Sequence, residues 1–235
     1  MHLSVGASKI NKWAVRESGD TLEMIERPHG GISFVLADGQ SSGEAAKAIS
    51  IRVVRKVVSE LAEGVRDGAA ARAANDMLHT LRGGKVSATL VILSVELDSG
   101  SLVVTQCGDS SVYVRYPGGD LQLLESETAA LGFYRHTRPT VDHIYLEPGL
   151  LALAFTDGLV HAGGCSGDMF NIPDAVERIW QETPSARALA DGLLARAMAL
   201  DDGRPTDDTS ILVLHVQSGL PSGPRSMQVE VPLPD

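Results

Sequence analysis

The sequence predicts an α+β domain in which antiparallel β-sheets are covered by helices. From Val86 onward, runs rich in β-branched and other apolar residues are split by the turn signals DSG, GDSS and PGGD. Segments with helical periodicity occur in blocks before and after these runs, rather than alternating with single strands. Blocks of strands and blocks of helices favour antiparallel sheets over a parallel sheet built from βαβ units.

The first part of the chain contains strand candidates followed by helices. Short strands are expected within residues 1–37. Two alanine-rich segments with helical periodicity follow, from Gly43 to about Val65 and from Gly68 to about Leu81. Ser41 and Glu44 have the spacing of a capping box, which predicts the start of the first helix.

The remaining elements are also visible as patterns. The β-rich runs from Val86 to Leu124 are predicted to form one antiparallel meander. The apolar runs LLALAF and SILVLHV are predicted strands, and helices are expected in IPDAVERIWQE and SARALADGLLARAMAL. The segment 217–235 is rich in proline, glycine and serine, so we expect a mobile tail after a domain spanning residues 1–216.

Charge and composition narrow the classes of function. The chain has 30 acidic and 20 basic residues, a formal charge of -10, which is the wrong sign for binding the phosphate backbone of nucleic acids. No segment contains 18 consecutive apolar residues and no apolar leader is present, so we expect a cytoplasmic protein without a membrane partner. Cys107 and Cys165 lack disulfide or metal-ligand spacing and are expected to be small core or loop residues.

Two apolar runs end on the same dipeptide. The runs GGISFVLADG and GLLALAFTDG stop at Asp38 with Gly39 and at Asp157 with Gly158. A carboxylate at the end of a buried strand is costly to desolvate unless a cation holds it, and the adjacent glycine leaves room for a backbone carbonyl to reach that cation. Each dipeptide alone is typical of a turn. The two together predict a metal site.

Other acidic residues lie at comparable positions near strand ends. They are Asp20, Asp109, Asp207 and Asp208. An all-oxygen pocket built from such residues selects hard ions such as Mg²⁺ or Mn²⁺ over zinc or copper. Two such ions would keep clustered carboxylates ionised and activate water for in-line attack at phosphorus. The pattern therefore points to phosphoester hydrolysis.

Six motifs occur in one order between about Ser8 and Val216: ADGQSSGEAA, GGKVSATLVIL, CGDSSVYV, ALG, FTDGL and DDTSILVL. They resemble the metal-dependent protein serine/threonine phosphatases of type 2C, especially the compact bacterial members of partner-switching and stressosome pathways. The resemblance implies an αββα sandwich of two antiparallel sheets flanked by helices. It also implies two Mn²⁺ or Mg²⁺ ions and a third, weaker one.

The resemblance assigns roles to individual residues. Asp38 would bridge both ions, and Gly39 would give its carbonyl to the second ion. Asp157 and Asp207 would hold the first ion, while Asp20 would serve the second directly or through water. Asp38 and Asp157 are therefore the expected catalytic ligands.

Three further positions follow from the same resemblance. Asp109 corresponds to the ligand of the third ion, and Arg16 is the only positional candidate for the phosphate-binding arginine of many relatives. Ser41 stands where the family usually has a glycine, so it either alters the loop at the metal or improves the helix cap. Substrate choice is expected to rest on the surface around ETAALGFYRHTRP, because the segment after Asp157 is short.

The expected partner is a phosphorylated protein, such as a STAS-domain protein of a stressosome or anti-sigma-antagonist pathway, acted on by a monomer. One alternative is a catalytically weak or inactive domain that binds a phosphorylated regulator. The retained aspartates argue against it. A second alternative is a calcium site with only a structural role.

Overall fold

The computed structural model describes residues 1–164, 167, 170–219 and 224–231. In chain order, the strands are β1 (His2–Ile10), β2 (Asp20–Glu26), β3 (Ile32–Gly39), β4 (Ala88–Glu96), β5 (Ser101–Cys107), β6 (Ser111–Arg115), β7 (Leu121–Leu124), β8 (Thr140–Tyr145), β9 (Leu151–Phe155) and β10 (Thr209–Gln217). The helices are α1 (Gly43–Ala62), α2 (Asp67–Arg82), α3 (Asp157–His161), α4 (Ile172–Glu182) and α5 (Ala186–Leu200).

The strands form two antiparallel sheets of five strands each. The first sheet has the order β1-β10-β9-β6-β7, and the second has the order β2-β3-β4-β5-β8. Their inner faces share one apolar cluster, to which Leu36 and Leu93 contribute from the second sheet and Leu212 from the first. Helices cover both outer faces. The predicted αββα sandwich is therefore confirmed.

Each sheet buries its outer face under its own helices. Val53 of α1 and Leu78 of α2 belong to the same buried cluster as Ile92 of the second sheet. On the other side, Leu193 of α5 shares a buried cluster with Phe155 of the first sheet. Because the central strands are buried on both faces, they have continuous apolar runs rather than an alternation of apolar and polar residues.

The first and last strands of the fold are neighbours. All nine residues of β1 pair with β10, from His2 opposite Gln217 to Ile10 opposite Thr209. β10 also pairs with β9 on its other edge. The last strand therefore lies inside the first sheet, and β1 forms the edge of that sheet.

The predicted meander from Val86 to Leu124 is wrong in one respect, because its strands are divided between the two sheets. β5 pairs with β4 and β8, whereas β6 pairs with β7 and β9. Every residue of β5 is buried, and the strand lies between β4 and β8 within the second sheet. β8 escapes prediction because most of its residues are half-buried or exposed. Gly108, with a φ of +87°, lies in the turn between the sheets.

The predicted helices are present, but the start of α1 differs. α1 begins at Gly43 after the N-cap residue Ser42, which makes no side-chain cap hydrogen bond. Ser41 has a φ of +89°, in the left-handed region that favours glycine. The predicted capping box is therefore wrong, and so is the interpretation of Ser41 as an improved cap. Ser41 is a strained residue in the loop after Gly39.

The tail has few contacts with the domain. Residues 220–223 and 232–235 lie outside the described residues, and residues 224–231 form neither helix nor strand. Arg225 pairs with Glu26, and Glu230 pairs with Arg187, in all cases through exposed side chains. The domain boundary at residue 216 stays a prediction.

Two other expectations concern the cysteines and the membrane. Cys107 is buried at the end of β5, as expected of a small core residue, whereas Cys165 lies outside the described residues. Within the described ranges, no helix has the length and apolar character that a membrane span requires.

A buried ion pair joins the second sheet to its helices. Arg27, directly after β2, pairs with Asp67 at the start of α2, and both side chains are almost fully buried. Arg27 also donates to the carbonyl oxygen of Val65 at 2.8 Å, and the hydroxyl of Ser94 donates to Asp67. Burial raises the pKa of Asp67 despite these partners. Desolvation therefore outweighs the attraction, and loss of one partner would leave an isolated buried charge.

We predict that Arg27→Ala lowers the free energy of unfolding by about 3 to 5 kcal/mol, because it leaves the Asp67 carboxylate buried without its cation. Urea denaturation at pH 7 measures this loss. Arg225→Ala is the matched control, because it removes an exposed pair with Glu26 and should cost less than about 1 kcal/mol. Equal losses of unfolding free energy in the two variants would show that burial does not decide how much the loss of an ion-pair partner costs.

We also predict that Ser41→Gly raises the free energy of unfolding by about 0.5 to 1 kcal/mol. Relief of the left-handed strain should exceed the extra chain entropy that glycine brings to the unfolded state. Ser42→Gly serves as the control. Ser42 has an extended backbone with a φ of -144°, so this substitution should lower the free energy of unfolding. Destabilisation by both changes would show that Ser41 is not strained.

Candidate metal centre

The second sheet brings two aspartates together by its register. Asp20 is the first residue of β2 and lies directly opposite Asp38, near the end of β3. On the other edge of β3, Asp38 faces Thr89 and Gly39 faces Ala88. The two carboxylates therefore belong to neighbouring strands at one end of the sheet.

The first sheet supplies two more aspartates at the same end of the sandwich. Asp157 follows β9 at the start of α3, and Asp207 lies two residues before the start of β10. Because β9 and β10 are antiparallel neighbours, the end of one lies beside the start of the other. Asp109 lies in the exposed turn between β5 and β6.

The two sheets are joined at this end by hydrogen bonds to Asp20. The Thr156 hydroxyl donates to Oδ2 of Asp20 at 3.0 Å, and the Ser210 hydroxyl donates to the same oxygen at 2.6 Å. The other carboxylate oxygen, Oδ1, is buried and has no hydrogen-bond partner among the described residues. A buried carboxylate oxygen without a partner is costly unless a cation binds it.

The carboxylates repel one another strongly. The pKa of Asp38 rises to about 9, because of burial and then because of the negative charges of Asp20, Asp157 and Asp207. Burial also raises the pKa of Asp157, with further contributions from Asp207, Asp109 and Asp20. Each of the five predicted aspartates thus lies within the electrostatic range of others. The structure brings the predicted acidic set to one place.

Two lysines lie behind Asp20 and contact its backbone. The Nζ atoms of Lys9 and Lys47 each donate to the carbonyl oxygen of Asp20 at 2.6 Å. Burial and then the neighbouring charge of Lys47 lower the pKa of Lys9 to about 8. These ammonium groups therefore hold the start of β2 and partly offset the negative charge of the aspartates. Neither of them donates to Oδ1 of Asp20.

Asp208 has a positioning role that its sequence position does not reveal. It is buried, and its Oδ1 accepts the backbone N–H of Lys12 at 2.9 Å, while its Oδ2 accepts that of Gly19 at 2.8 Å. These two bonds hold the loop that leads into Asp20. Both carboxylate oxygens of Asp208 thus accept hydrogen bonds from backbone N–H groups, whereas its neighbour Asp207 is half exposed.

The glycines of both Asp-Gly dipeptides are required by packing. A Cβ atom on Gly39 would lie 2.1 Å from the carbonyl oxygen of Ala46 in α1, and one on Gly158 would lie 2.1 Å from the carbonyl oxygen of Asp208. Real Cβ atoms do not approach so closely. From the sequence, these glycines are expected to leave room for a backbone carbonyl to reach a cation. The close approach of the backbone is a second reason for them.

The donor set fits hard divalent ions that keep water in their coordination shells. All candidate side-chain donors are carboxylate oxygens, the ligands that Mg²⁺ and Mn²⁺ prefer. Within the described part of the chain, no three acidic, histidine or cysteine side chains form a ready-made cage for an ion.

The remaining candidates lie at the margin of the cluster. Arg16 is exposed in the loop between β1 and β2, where its carbonyl oxygen accepts a hydrogen bond from Asn11. No ion pair between Arg16 and the clustered carboxylates occurs among the described residues. His161 Nδ1 lies 3.8 Å from Oδ2 of Asp157, and His136 is exposed on a loop.

Comparisons with known proteins agree with the fold. The family model for Stage II sporulation protein E (SpoIIE) matches residues 28–217. Among curated proteins, Protein IcfG of Synechocystis sp. is 22% identical over 148 residues, which make up 62% of this chain and 23% of that protein. The chain thus spans about a quarter of the length of this relative.

Solved structures share the architecture. The PP2C phosphatase domain of SpoIIE from Bacillus subtilis, with a fragment of its regulatory domain, matches with a TM-score of 0.80 and 19% identity, over 94% of this chain and 64% of that chain. The catalytic domain of the serine/threonine protein phosphatase PstP, in complex with two manganese ions, matches with a TM-score of 0.70 and 19% identity, over 92% and 99% of the two chains.

The family match begins after Asp20 and includes the other four predicted acidic ligands, Asp38, Asp109, Asp157 and Asp207. It covers most of the domain, and the solved structures show the same sandwich. The resemblance to type 2C phosphatases is thereby confirmed. The chain belongs to the SpoIIE family of PP2C-type phosphatase domains.

Proposed function

We propose that this chain is a metal-dependent phosphatase that hydrolyses phosphoserine or phosphothreonine on a cytoplasmic regulatory protein. The observation that carries the proposal is the unpartnered, buried Oδ1 of Asp20 within a cluster of five aspartates where the two sheets meet. Family membership supports the reaction class. The fold shared with a manganese-bound phosphatase supports the type of metal.

In this proposal, Asp38 and the carbonyl of Gly39 would hold ions together with Asp157, Asp207 and Asp20. When bound, Mg²⁺ or Mn²⁺ ions lower the pKa of a coordinated water and neutralise the charge of the phosphate oxygens. The ionised carboxylate of Asp38 would serve both ions. Asp157 and Asp207 approach from the first sheet, and Asp20 approaches from the second.

The surrounding residues position this set. Thr156 and Ser210 orient the Asp20 carboxylate, and Asp208 holds the loop that leads to it. Asp109, which is exposed, would serve a third, weaker ion, as the resemblance to type 2C phosphatases implies. Arg16, exposed in the loop between β1 and β2, would bind the phosphate of the substrate.

The proposed substrate is a phosphorylated STAS-domain protein of a partner-switching or stressosome pathway, acted on by a monomer. This part of the proposal rests on the resemblance to compact bacterial type 2C phosphatases. The motifs that carry the resemblance span both sheets and both helical layers.

Metal dependence tests the proposal. We expect hydrolysis of p-nitrophenyl phosphate with Mn²⁺ or Mg²⁺, and complete but reversible loss of activity with a chelator, because carboxylate and water ligands hold these ions loosely. Calorimetric titration with Mn²⁺ gives a readout that does not depend on activity. Binding of Mn²⁺ without hydrolysis would favour the inactive, regulator-binding alternative. Full activity in metal-free buffer would exclude the metal-dependent mechanism.

Substitutions test the assignment of ligands. Asp38→Asn and Asp157→Asn should each lower kcat by a factor of at least about 10³, because they remove charge from the ions that activate water. Asp109→Asn should have a smaller effect. Asp98→Asn is the control, because Asp98 is exposed in the turn after β4, at the opposite end of the sheet. A larger loss for Asp109→Asn than for Asp38→Asn would contradict the assignment.

A further inference from the structure

An exposed loop beside the carboxylate cluster carries aromatic and cationic side chains. We call residues 133–138, between β7 and β8, the aromatic-basic loop. Phe133 is 45% exposed and Tyr134 is 64% exposed. Arg135, His136 and Arg138 are exposed in the same loop. The proposed metal site does not use any of these side chains.

The aromatic-basic loop is held rigidly by α2. Oδ1 of the fully buried Asn75 accepts the backbone N–H of Gly132 at 2.9 Å, and its Nδ2 donates to the carbonyl oxygen of Tyr134 at 3.1 Å. Nδ1 of His79 lies 3.0 Å from the carbonyl oxygen of Gly132. Gly132 has a φ of +93°, and a Cβ atom there would lie 2.6 Å from the carbonyl oxygen of Val86. The backbone therefore presents its exposed side chains in a fixed arrangement, which lowers the entropy cost of binding.

The aromatic-basic loop is continuous with the end of the sheet that carries Asp38. Leu131 and Ala88 exchange two backbone hydrogen bonds of 2.8 and 3.0 Å. Ala88 lies directly opposite Gly39 in the sheet. A polypeptide that reaches the carboxylate cluster therefore has the aromatic-basic loop beside it.

The aromatic-basic loop and the C-terminal half of α2 carry more basic than acidic residues. Segments 68–86 and 131–141 contain five lysine or arginine residues and one acidic residue, whereas the whole chain has a formal charge of -10. Arg72, Arg82 and Lys85 are all exposed on or after α2. This local excess of positive charge is suited to an acidic partner, because complementary charge favours encounter and fixes register.

We propose that the aromatic-basic loop docks an acidic segment next to the phosphorylated residue of the protein substrate. The arginines pair with carboxylates of that segment, and the exposed rings of Phe133 and Tyr134 supply apolar contact. An acidic enzyme repels an acidic substrate at long range, so a local cationic surface is needed to bind one. This inference rests on the proposed phosphatase function, and a binding measurement separates the two.

The experiment compares two peptides that have the same phosphothreonine site. One carries four aspartates on one side of the site, and the other carries asparagines there. For the wild type with Mn²⁺ at low ionic strength, kcat/KM should be about tenfold higher for the acidic peptide, the combined effect of a few exposed ion pairs. The preference should fall as salt is added. Arg135→Ala combined with Arg138→Ala should abolish it without changing hydrolysis of p-nitrophenyl phosphate.

A matched control is a second pair of arginine substitutions that changes the net charge by the same amount. Arg178 and Arg196 are exposed on α4 and α5, which cover the other sheet. Arg178→Ala combined with Arg196→Ala should retain the preference for the acidic peptide. An equal loss in this control would mean that net charge, rather than the aromatic-basic loop, recognises the peptide, and would overturn the proposal.

Direct binding keeps the inference testable even if the chain lacks activity. Fluorescence anisotropy with the unphosphorylated acidic peptide should show binding that the Arg135 and Arg138 substitutions weaken. Equal affinity for the acidic and neutral peptides would overturn the docking proposal and leave the phosphatase proposal intact. Tighter binding to phosphatidylserine vesicles than to the peptide, or a dimer that dissociates on these substitutions, would assign the loop to a membrane or to a second copy of the chain instead.

Discussion

Negative charge is concentrated where the two sheets meet, and the surrounding structure is arranged to hold it there. Asp20 belongs to the second sheet, yet Oδ2 of its carboxylate is bound by Thr156 and Ser210 of the first sheet region. The carboxylate therefore joins the two layers at the end that carries the acidic cluster. Burial of Asp38 and then the negative charge of Asp20 beside it raise the pKa of Asp38. Buried carboxylates in such numbers need cations or protons, which links the stability of this end of the fold to whatever binds there.

Backbone contacts set the geometry of the cluster as much as side chains do. Lys9 and Lys47 contact the carbonyl oxygen of Asp20 rather than its carboxylate, and Asp208 uses both oxygens on backbone N–H groups. Gly39 allows α1 to approach the end of β3 more closely than any other residue would. The candidate ligands are consequently fixed by their strands and by a second layer of polar contacts, a requirement for a precise metal site.

Much of the fold and of the acidic cluster could be predicted because both leave local patterns. The αββα sandwich follows from apolar runs and helical periods, and the Asp-Gly dipeptides at Asp38 and Asp157 mark strand ends. What could not be predicted depends on contacts between distant segments. Thr156 and Ser210 lie 136 and 190 residues from Asp20. Likewise, the division of the meander between two sheets depends on which strand pairs with β5, and that strand is distant in the sequence. The left-handed backbone of Ser41 could not be predicted either, because the spacing of Ser41 and Glu44 is the one expected of a capping box.

The pairing of β1 with β10 affects the order in which the domain can be completed during synthesis. β1 is made first but finds its partner only after nearly all of the domain has been translated. Such distant pairing is slow, and until it occurs β1 presents an unpaired edge. The second sheet can form earlier, because all five of its strands precede β9 in the chain. Asp207 and Ser210 arrive with β10, so a nascent chain has a folded half without a complete carboxylate cluster.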